Sequence, residues 1–264
     1  MKINTFCLVL SAQRSGSTLF CRKLANIGGL GVPDEYALKL IRSNLKITDE
    51  TFQQSLEEYS YKSIQGNSCG LKIMLDYSHK LISHLIPSTR TLRPGESRLD
   101  CVQEISNFID YLEVNFDKTA FFILSRRNCV ELAVSRASSI YNGKEKRHNL
   151  AGKNLFADDF LEITDESFVF DKILDRLPKA IREISLLTEI AEKISSKAIH
   201  IQYEDLINEE DCVTTKITKY LTRRGITTED PTAFSQETGL FKVLNPLKQK
   251  ELSSKFTMKM LESI

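Results

Sequence analysis

The opening of the chain, an apolar run that leads into a polar loop, is the feature that most constrains the fold. Residues 5–10 are mostly apolar and are followed by the glycine-containing polar segment 11–18. A short apolar run with this ending is typical of a buried strand. Apolar residues then recur at helical spacing over residues 19–27 until Gly28 and Gly29, which predict the end of a helix. We therefore expect the chain to begin as strand, loop and helix.

Strands and helices are predicted to alternate along the rest of the chain. Further apolar runs predict strands at residues 69–74, 119–125 and 198–201. Apolar residues at helical spacing predict helices at residues 102–112, 130–141, 173–187 and 213–221, and a final helix after residue 249. Pro178 predicts a kink or a boundary in one of them. This alternation favours a mainly parallel sheet flanked by helices, so we expect one α/β domain over residues 1–264.

Composition and charge argue against several classes of function. Lys and Arg total 36 against 35 Asp and Glu, and a net charge of +1 gives no reason to expect a nucleic-acid partner or an anionic membrane surface. No apolar stretch approaches the roughly 20 residues that span a bilayer, so we expect no membrane anchor. The 6 cysteines form no C-x-x-C pair, which argues against a zinc site and favours buried, reduced thiols in a cytoplasmic protein.

The segment between the first strand and the first helix has the composition of a phosphate-binding loop. It reads Ser11-Ala12-Gln13-Arg14-Ser15-Gly16-Ser17-Thr18. A helix N-terminus at this point presents free N–H groups and the positive end of the helix dipole. Gly16 lets the backbone approach an anion, and Arg14 adds a charged donor. The hydroxyls of Ser15, Ser17 and Thr18 add neutral ones.

The loop does not match an ATP-binding P-loop. The pattern G-x-x-x-x-G-K-[ST] requires Gly at position 11 and Lys at position 17, and both are Ser in this chain. The lysine that reaches the terminal phosphates of ATP is therefore missing, and Arg14 lies earlier in the loop. A small-molecule kinase on the same type of sheet stays an alternative, as does a serine-rich turn that only caps a helix.

Residues 13–18 resemble the 5′-phosphosulfate loop of the sulfotransferases, in particular the bacterial carbohydrate branch of the trehalose 2-sulfotransferase and nodulation-factor type. Enzymes of this family use 3′-phosphoadenosine-5′-phosphosulfate (PAPS) as the sulfuryl donor and need no metal. The product that they release is 3′-phosphoadenosine-5′-phosphate (PAP). The resemblance implies a P-loop-like fold and transfer of the sulfuryl group to a hydroxyl of a carbohydrate or another small molecule. It also implies that Arg14 lies beside the leaving oxygen.

A second anion site is predicted after the strand at residues 119–125. Arg126 and Arg127 follow this strand, and Ser135 lies on a predicted helix eight residues after Arg127. An Arg at the carboxyl end of a strand, beside a helix N-terminus, is well placed to hold an anion. The spacing is similar to the 3′-phosphate motif of the sulfotransferases and implies that Arg127 and Ser135 hold that phosphate. A solvated helix face is the alternative.

Further segments resemble the family, in the family's order. Tyr203-Glu204-Asp205-Leu206 is similar to its Y-E-D-L segment, whose Tyr lies near the adenine. Gly70-Leu71-Lys72-Ile73-Met74 is similar to its G-x-K-x-M strand, so that Lys72 could assist the sulfuryl group or cap a strand edge. Lys248 falls where the family closes a loop over the 3′-phosphate, although the local match is loose.

A general base must take the proton of the acceptor hydroxyl. Pro33-Asp34-Glu35-Tyr36 resembles the P-x-E-[FY] segment of the bacterial branch, whose Glu is the base, so the resemblance implies that role for Glu35. An exposed loop carboxylate is the alternative. The cytosolic branch uses a His base instead, and His79 and His84, both in a predicted helix, are the candidates for it in this chain.

The sequence does not determine the acceptor. The irregular segments 33–68 and 142–166 are long enough to shape its pocket, and their aromatic and basic side chains could contact a sugar ring or an anionic acceptor. Members of the family often form dimers, which makes a homodimer a candidate state. A nucleotide-binding protein that has lost turnover is the non-enzyme alternative, and the presence of Arg14 and Glu35 argues against it.

Overall fold

The central strand of the protein is β1 (Thr5–Ser11), and all of its residues are buried. The computed structural model describes residues 2–36, 56–57, 64–85, 98–145, 166–230 and 246–262. Helix α1 (Ser17–Asn26) follows the loop at the end of β1, and Gly28 and Gly29 turn the chain after it with positive φ angles. These elements confirm the strand, loop and helix that the sequence predicts.

The remaining described elements continue the alternation. The strands are β2 (Ile64–Gln65), β3 (Ser68–Met74), β4 (Lys118–Ser125) and β5 (Ala198–Gln202). The helices are α2 (Leu75–Leu85), α3 (Arg98–Asn115), α4 (Cys129–Glu145), α5 (Glu166–Lys193), α6 (Tyr203–Asn208), α7 (Glu210–Arg223) and α8 (Pro246–Leu261). β2 and α6 were not predicted, because elements this short show no periodicity. The irregular segments 33–68 and 142–166, which are predicted to shape the acceptor pocket, lie largely outside the described residues.

The described strands form one sheet in the order β2-β3-β1-β4-β5. β1 pairs in parallel with both β3 and β4, β4 pairs in parallel with β5, and the short β2 pairs antiparallel with β3. This sheet confirms the predicted α/β class. In the register, Ser11 lies opposite Met74 and Leu124, so the strands end together. The segments that follow β1, β3 and β5 therefore meet at one edge, where α/β proteins bind ligands.

Apolar side chains cover both faces of the sheet. On one face, Val9 and Phe122 pack in a buried cluster with residues of α1 and α7, among them Phe20 and Ile217. On the opposite face, residues of β1, β3 and β4 surround a small apolar cavity together with residues of α2 and α3. Because burial of each large apolar side chain contributes roughly 1.5–3 kcal/mol, both faces hold the strands in place.

Two local predictions need correction. α5 continues through Pro178, so the predicted boundary at that residue is wrong. Ile173 and Ala180, on either side of the proline, are both buried, and their packing favours a continuous helix. Buried thiols are confirmed for Cys7, Cys21 and Cys69, and burial raises the pKa of Cys21 to about 12. Cys212, in contrast, is exposed on α7.

The chain divides into two compact units, Met1–Ser125 with Ser185–Thr238 and Arg126–Ile184 with Gly239–Ile264. The first unit contains the sheet. In the second unit α4 packs against α8, and a buried ion pair joins Arg136 to Glu183. The prediction of one domain over the whole chain stays a prediction. Among the described helices, none is long and apolar enough to cross a membrane.

Candidate active site at the carboxyl end of the strands

The loop between β1 and α1 bends through two left-handed residues. Arg14 has a φ of 66°, and Gly16, the N-cap of α1, has a φ of 84°. The conformation of Arg14 costs about 1 kcal/mol, and such strain is typical of functional loops. The buried Ser15 hydroxyl donates a 2.7 Å hydrogen bond to the Ala12 carbonyl and so braces the loop. Left-handed turns beside a helix N-terminus form a concave surface lined with N–H groups, which suits an anion.

Tyr203 covers this loop from the end of β5. It is the first residue of α6, and a Cβ atom placed on Gly16 would lie 2.2 Å from its Cδ2 atom. Glycine is therefore the residue that fits beneath the ring. The family resemblance implies a position near the adenine for Tyr203, and in the structure its ring lies against the segment predicted to hold the 5′-phosphosulfate.

Lys72 connects the loop to two carboxylates. It lies on β3 opposite Val9, so its side chain is on the face of the sheet that α1 covers, and only 4% of that side chain is exposed. Its Nζ atom lies 3.3 Å from Oγ1 of Thr18, 3.5 Å from Oδ1 of Asp34 and 3.4 Å from Oε1 of Glu35. A buried ammonium is stable only with such partners, because desolvation of an unpaired charge is costly.

The backbone of residues 33–35 is fixed against β3. The Lys72 N–H donates a 3.0 Å hydrogen bond to the Asp34 carbonyl, and Asp34 forms a parallel bridge with Leu71. Gly70 makes this approach possible, since a Cβ atom there would lie 2.6 Å from the Pro33 nitrogen. The Asp34 carboxylate also accepts a 2.8 Å hydrogen bond from the Glu35 N–H. The contacts of its own segment with β3 therefore position the Glu35 backbone.

A second contact joins the loop to α2. Gln13 Nε2 donates a 2.8 Å hydrogen bond to Oδ2 of Asp76, in the first turn of that helix. His79 lies one turn further and is half-buried; burial and the neighbouring Lys80 lower the pKa of His79, so its imidazole is neutral near pH 7. His84 also lies in α2, but its side chain is outside the described part of the chain. The Lys72 ammonium thus joins the loop to Glu35, through its contacts with Thr18 and the Glu35 carboxylate.

The residues predicted for the 3′-phosphate lie in the second unit. Arg127 is exposed, whereas Ser135 is buried on α4, which excludes a solvated helix face for Ser135. Asn128 Oδ1 accepts a 3.1 Å hydrogen bond from the Glu131 N–H and so caps the start of α4. Lys248 lies in the first turn of α8, and its side chain is outside the described residues. The roles of these residues stay predictions.

Sequence reasoning missed two residues of this site, Asp34 and Asp76. Asp34 stands beside Glu35, but its contact with Lys72 depends on the pairing of residues 33–35 with β3, which no local pattern reveals. Asp76 is 63 residues from its partner Gln13 in the sequence. The predicted parallel sheet, which brings the ends of β1 and β3 to one edge, was the one available signal for this contact.

The sequence model of the Stf0 sulphotransferase family matches residues 6–233. The chain belongs to this family. The match spans the loop after β1, Glu35, Lys72 and Tyr203, and the family includes trehalose 2-sulfotransferase. Membership confirms the resemblance to the sulfotransferases and identifies a sulfotransferase-family enzyme, which leaves the kinase alternative without support.

Two solved structures are also similar to this Stf0-family chain. The sulfotransferase domain from the curacin biosynthetic pathway is 14% identical over 92% of this chain and 82% of that one, with a TM-score of 0.44. The sulfotransferase domain from the Synechococcus PCC 7002 olefin synthase is 16% identical over 97% and 95% of the two chains, with a TM-score of 0.39. Likenesses at this level carry no weight for the site. No curated protein matches the sequence.

Proposed function

We propose that the protein transfers the sulfuryl group of PAPS to a hydroxyl of a carbohydrate or another small molecule, with Glu35 as the general base. The position of Lys72 supports this most directly. Its ammonium lies 3.4 Å from the Glu35 carboxylate and 3.3 Å from the Thr18 hydroxyl. One side chain thus connects the proposed base with the proposed donor loop. Transfer to a hydroxyl requires the donor and the base to be held on either side of the acceptor oxygen, and contacts with one lysine keep them near each other.

The donor is proposed to bind with its 5′-phosphosulfate at the N-terminus of α1. The first-turn N–H groups, the hydroxyls of Ser17 and Thr18 and the guanidinium of Arg14 supply donors for its oxygens. The side chain of Gln13 is hydrogen-bonded to Asp76, and we propose that this contact holds the conformation of the loop. Gly16 lets the phosphate approach the backbone, and the Tyr203 ring forms a wall of the site.

The 3′-phosphate of the donor is proposed to be held by Arg127, Ser135 and Lys248. The chemistry of these side chains supports the proposal, because guanidinium, hydroxyl and ammonium groups donate hydrogen bonds to phosphate oxygens. The spacing of Arg127 and Ser135 adds to it, since it is similar to the motif of the family. Ser135 is buried, which suits a hydroxyl that is directed at one ligand.

The chemical step is an in-line displacement at sulfur. The acceptor oxygen forms a bond to sulfur as the bond from sulfur to the bridging phosphate oxygen breaks, and PAP leaves with that electron pair. Negative charge grows on the bridging oxygen, where Arg14 and the N–H groups of α1 stabilise it. Glu35 accepts the proton of the acceptor hydroxyl. Lys72 contacts both Thr18 of the donor loop and Glu35, and we propose that its ammonium stabilises the sulfuryl group during transfer.

Calorimetry with PAP and single-turnover kinetics with radiolabelled PAPS test this proposal. Glu35→Gln is expected to lower turnover by about 10²- to 10⁴-fold, because the proton then has no base, while PAP affinity changes by less than about twofold. Arg14→Ala and Arg127→Ala are expected to weaken PAP binding by roughly 10-fold or more. Arg223→Ala, which removes an exposed arginine of α7, is the matched control and should bind PAP as the wild type does.

Three outcomes would overturn parts of the proposal. Unchanged PAP affinity in both arginine variants would refute the donor-site assignments. Unchanged turnover in Glu35→Gln would remove Glu35 as the base and direct attention to His79. PAP binding without transfer to any acceptor of a broad hydroxyl panel would favour the catalytically silent alternative, and a thermal shift with Mg·ATP but none with PAP would favour a kinase.

A further inference from the structure

We infer that Asp34 is a positioning residue for the reaction, which orients Glu35 through a hydrogen bond and keeps the Lys72 ammonium paired during turnover. The inference rests on the proposed roles of Glu35 and Lys72. Asp34 itself is not expected to touch the donor or the acceptor. It acts through the two groups that do.

The geometry places one oxygen of Asp34 between these two groups. Oδ1 accepts the 2.8 Å hydrogen bond from the Glu35 N–H and also lies 3.5 Å from Nζ of Lys72. The Asp34 carbonyl accepts the Lys72 N–H at 3.0 Å, so both the backbone and the side chain of Asp34 are tied to Lys72. A change at this carboxylate therefore reaches the proposed base and the proposed sulfuryl-stabilising lysine together.

Charge explains why the site contains a second carboxylate. When Glu35 takes the proton of the acceptor it becomes neutral and no longer offers Lys72 a negative charge. The Lys72 side chain is 4% exposed, and a buried ammonium that loses its only counter-charge is strongly destabilised. Asp34 takes no proton in the proposed step, so its carboxylate stays with Lys72 before and after the transfer.

A purely local role is the competing explanation, because Asp side chains often bond a nearby N–H to stabilise a turn. Two substitutions separate the explanations. Asp34→Asn keeps an oxygen that can accept the Glu35 N–H but removes the charge, whereas Asp34→Ala removes both. Asp117→Asn is the matched control, since Asp117 is an exposed aspartate that lies 3.9 Å from Lys2 at the other end of the strands.

The experiment measures transfer from PAPS to the fastest acceptor in a panel of methyl glycosides, together with PAP affinity and the amide resonance of Glu35. We expect kcat to fall about 10-fold in Asp34→Asn and about 100-fold in Asp34→Ala, with the KM for PAPS and the affinity for PAP unchanged. Because residue 34 directly precedes Glu35, the Glu35 amide resonance should shift in both variants, and it should shift further in Asp34→Ala, which loses the hydrogen-bond acceptor. Asp117→Asn should match the wild type in every readout.

Wild-type kcat in Asp34→Asn would overturn the inference, because the charge would then be irrelevant. Equal loss of melting temperature and PAP affinity in both variants, with kcat unchanged, would also overturn it in favour of a structural role. If the wild type itself transfers nothing from PAPS, the proposed function fails. The Glu35 amide resonance then still reports whether the Asp34 contact exists.

Discussion

Two lysines of the sheet unit each face two carboxylates, and they lie at opposite ends of the parallel strands. Lys72 faces Asp34 and Glu35 toward the carboxyl end of β3. Lys197 directly precedes β5 and contacts Asp110 and Glu113 at the other end. Each lysine thus has one aspartate and one glutamate as partners, which allows a direct comparison of the two clusters.

The Lys197 cluster is tightly paired and balanced in charge. Its two ion pairs measure 2.5 Å each, and Arg224 adds a second cation that lies 2.6 Å from Glu113. Arg224 also donates a 3.1 Å hydrogen bond to the Thr119 carbonyl, which ties the cluster to β4. These contacts join the start of β5 and the end of α7 to α3 and β4, as expected for interactions that stabilise the fold.

The Lys72 cluster is less tightly paired, because the contacts of its ammonium are longer. Its contacts measure 3.3–3.5 Å, longer than most hydrogen bonds, and one of them leads to Thr18 in the proposed donor loop. One ammonium cannot neutralise two carboxylates, and the side chain of Glu35 is 35% exposed. The two lysines therefore differ in burial and in contact length, since Lys72 is 4% exposed with contacts of 3.3–3.5 Å and Lys197 is 34% exposed with contacts of 2.5 Å. We expect the looser contacts of Lys72 to let it interact with a ligand as well.

The largest effect is expected from removal of the Lys72 charge. Lys72→Met should lower single-turnover transfer by about 10²-fold, because a positively charged donor to the sulfuryl group is lost. Lys197→Met is the matched variant and should keep wild-type transfer while the free energy of unfolding falls by about 1 kcal/mol. Kinetics and urea denaturation of both variants check this. Equal turnover in the two variants would break the distinction between the clusters.

A smaller effect is expected from a methyl group on Gly16. Gly16→Ala should weaken PAP binding by about 10-fold, since the new Cβ atom must displace the Tyr203 ring and the residue has a φ of 84°. Gly66→Ala is the control: Gly66 has a φ of 57° but nothing within 4 Å of the added carbon. Calorimetry should show wild-type PAP affinity for the control. Equal weakening in both would show that a general loss of folding from a strained turn, and not a change in the donor loop, is responsible.

The smallest expected effect is a pH dependence of stability at the Lys197 cluster. Burial opposes ionisation of Glu113, but hydrogen bonds from Lys197 and Arg224 hold the pKa of Glu113 below its usual value. A lowered pKa contributes stability above the usual value of about 4.3, and this contribution is lost as the pH falls through the folded-state value. Glu113→Gln should therefore be less stable than the wild type by about 1 kcal/mol at pH 7.

The difference between the two proteins should shrink as the pH falls below about 4.3. Urea denaturation at a series of pH values measures it. A difference that stays constant down to pH 3 would show that the carboxylate charge of Glu113 does not stabilise the fold. Transfer from PAPS should be unchanged in Glu113→Gln, because the cluster lies at the end of the strands away from the loop.

The sequence predicted the central strands well because β1, β3 and β4 are buried on both faces and therefore appear as nearly continuous apolar runs. Residues 5–10 and 119–125 correspond to β1 and β4 almost to the residue. Pro178 allowed either a kink or a boundary in the predicted helix, and the continuous helix α5 excludes the boundary. Tertiary packing decides such cases, and it is not visible in a local window.

The site was predictable only in part, for a related reason. The loop around Gly16 carries its chemistry in adjacent residues, so a short motif reveals it. The arrangement of Lys72, Asp34 and Glu35 depends on how residues 33–35 pair with β3, which is a long-range event without a sequence period. The sequence could therefore predict which types of residue form the site. It could not predict which carboxylates contact Lys72.

The contact between Pro33 and Gly70 has a consequence for how this enzyme could diverge or be redesigned. Pro33 occupies the space that any side chain at position 70 would need, with a Cβ atom there only 2.6 Å from the Pro33 nitrogen. A larger residue at position 70 therefore requires a shift of the segment at position 33. Because Glu35 follows in the same segment, we expect substitutions at position 70 to lower transfer through the proposed role of Glu35. Grafts that aim at new acceptors should transplant the two segments as a pair.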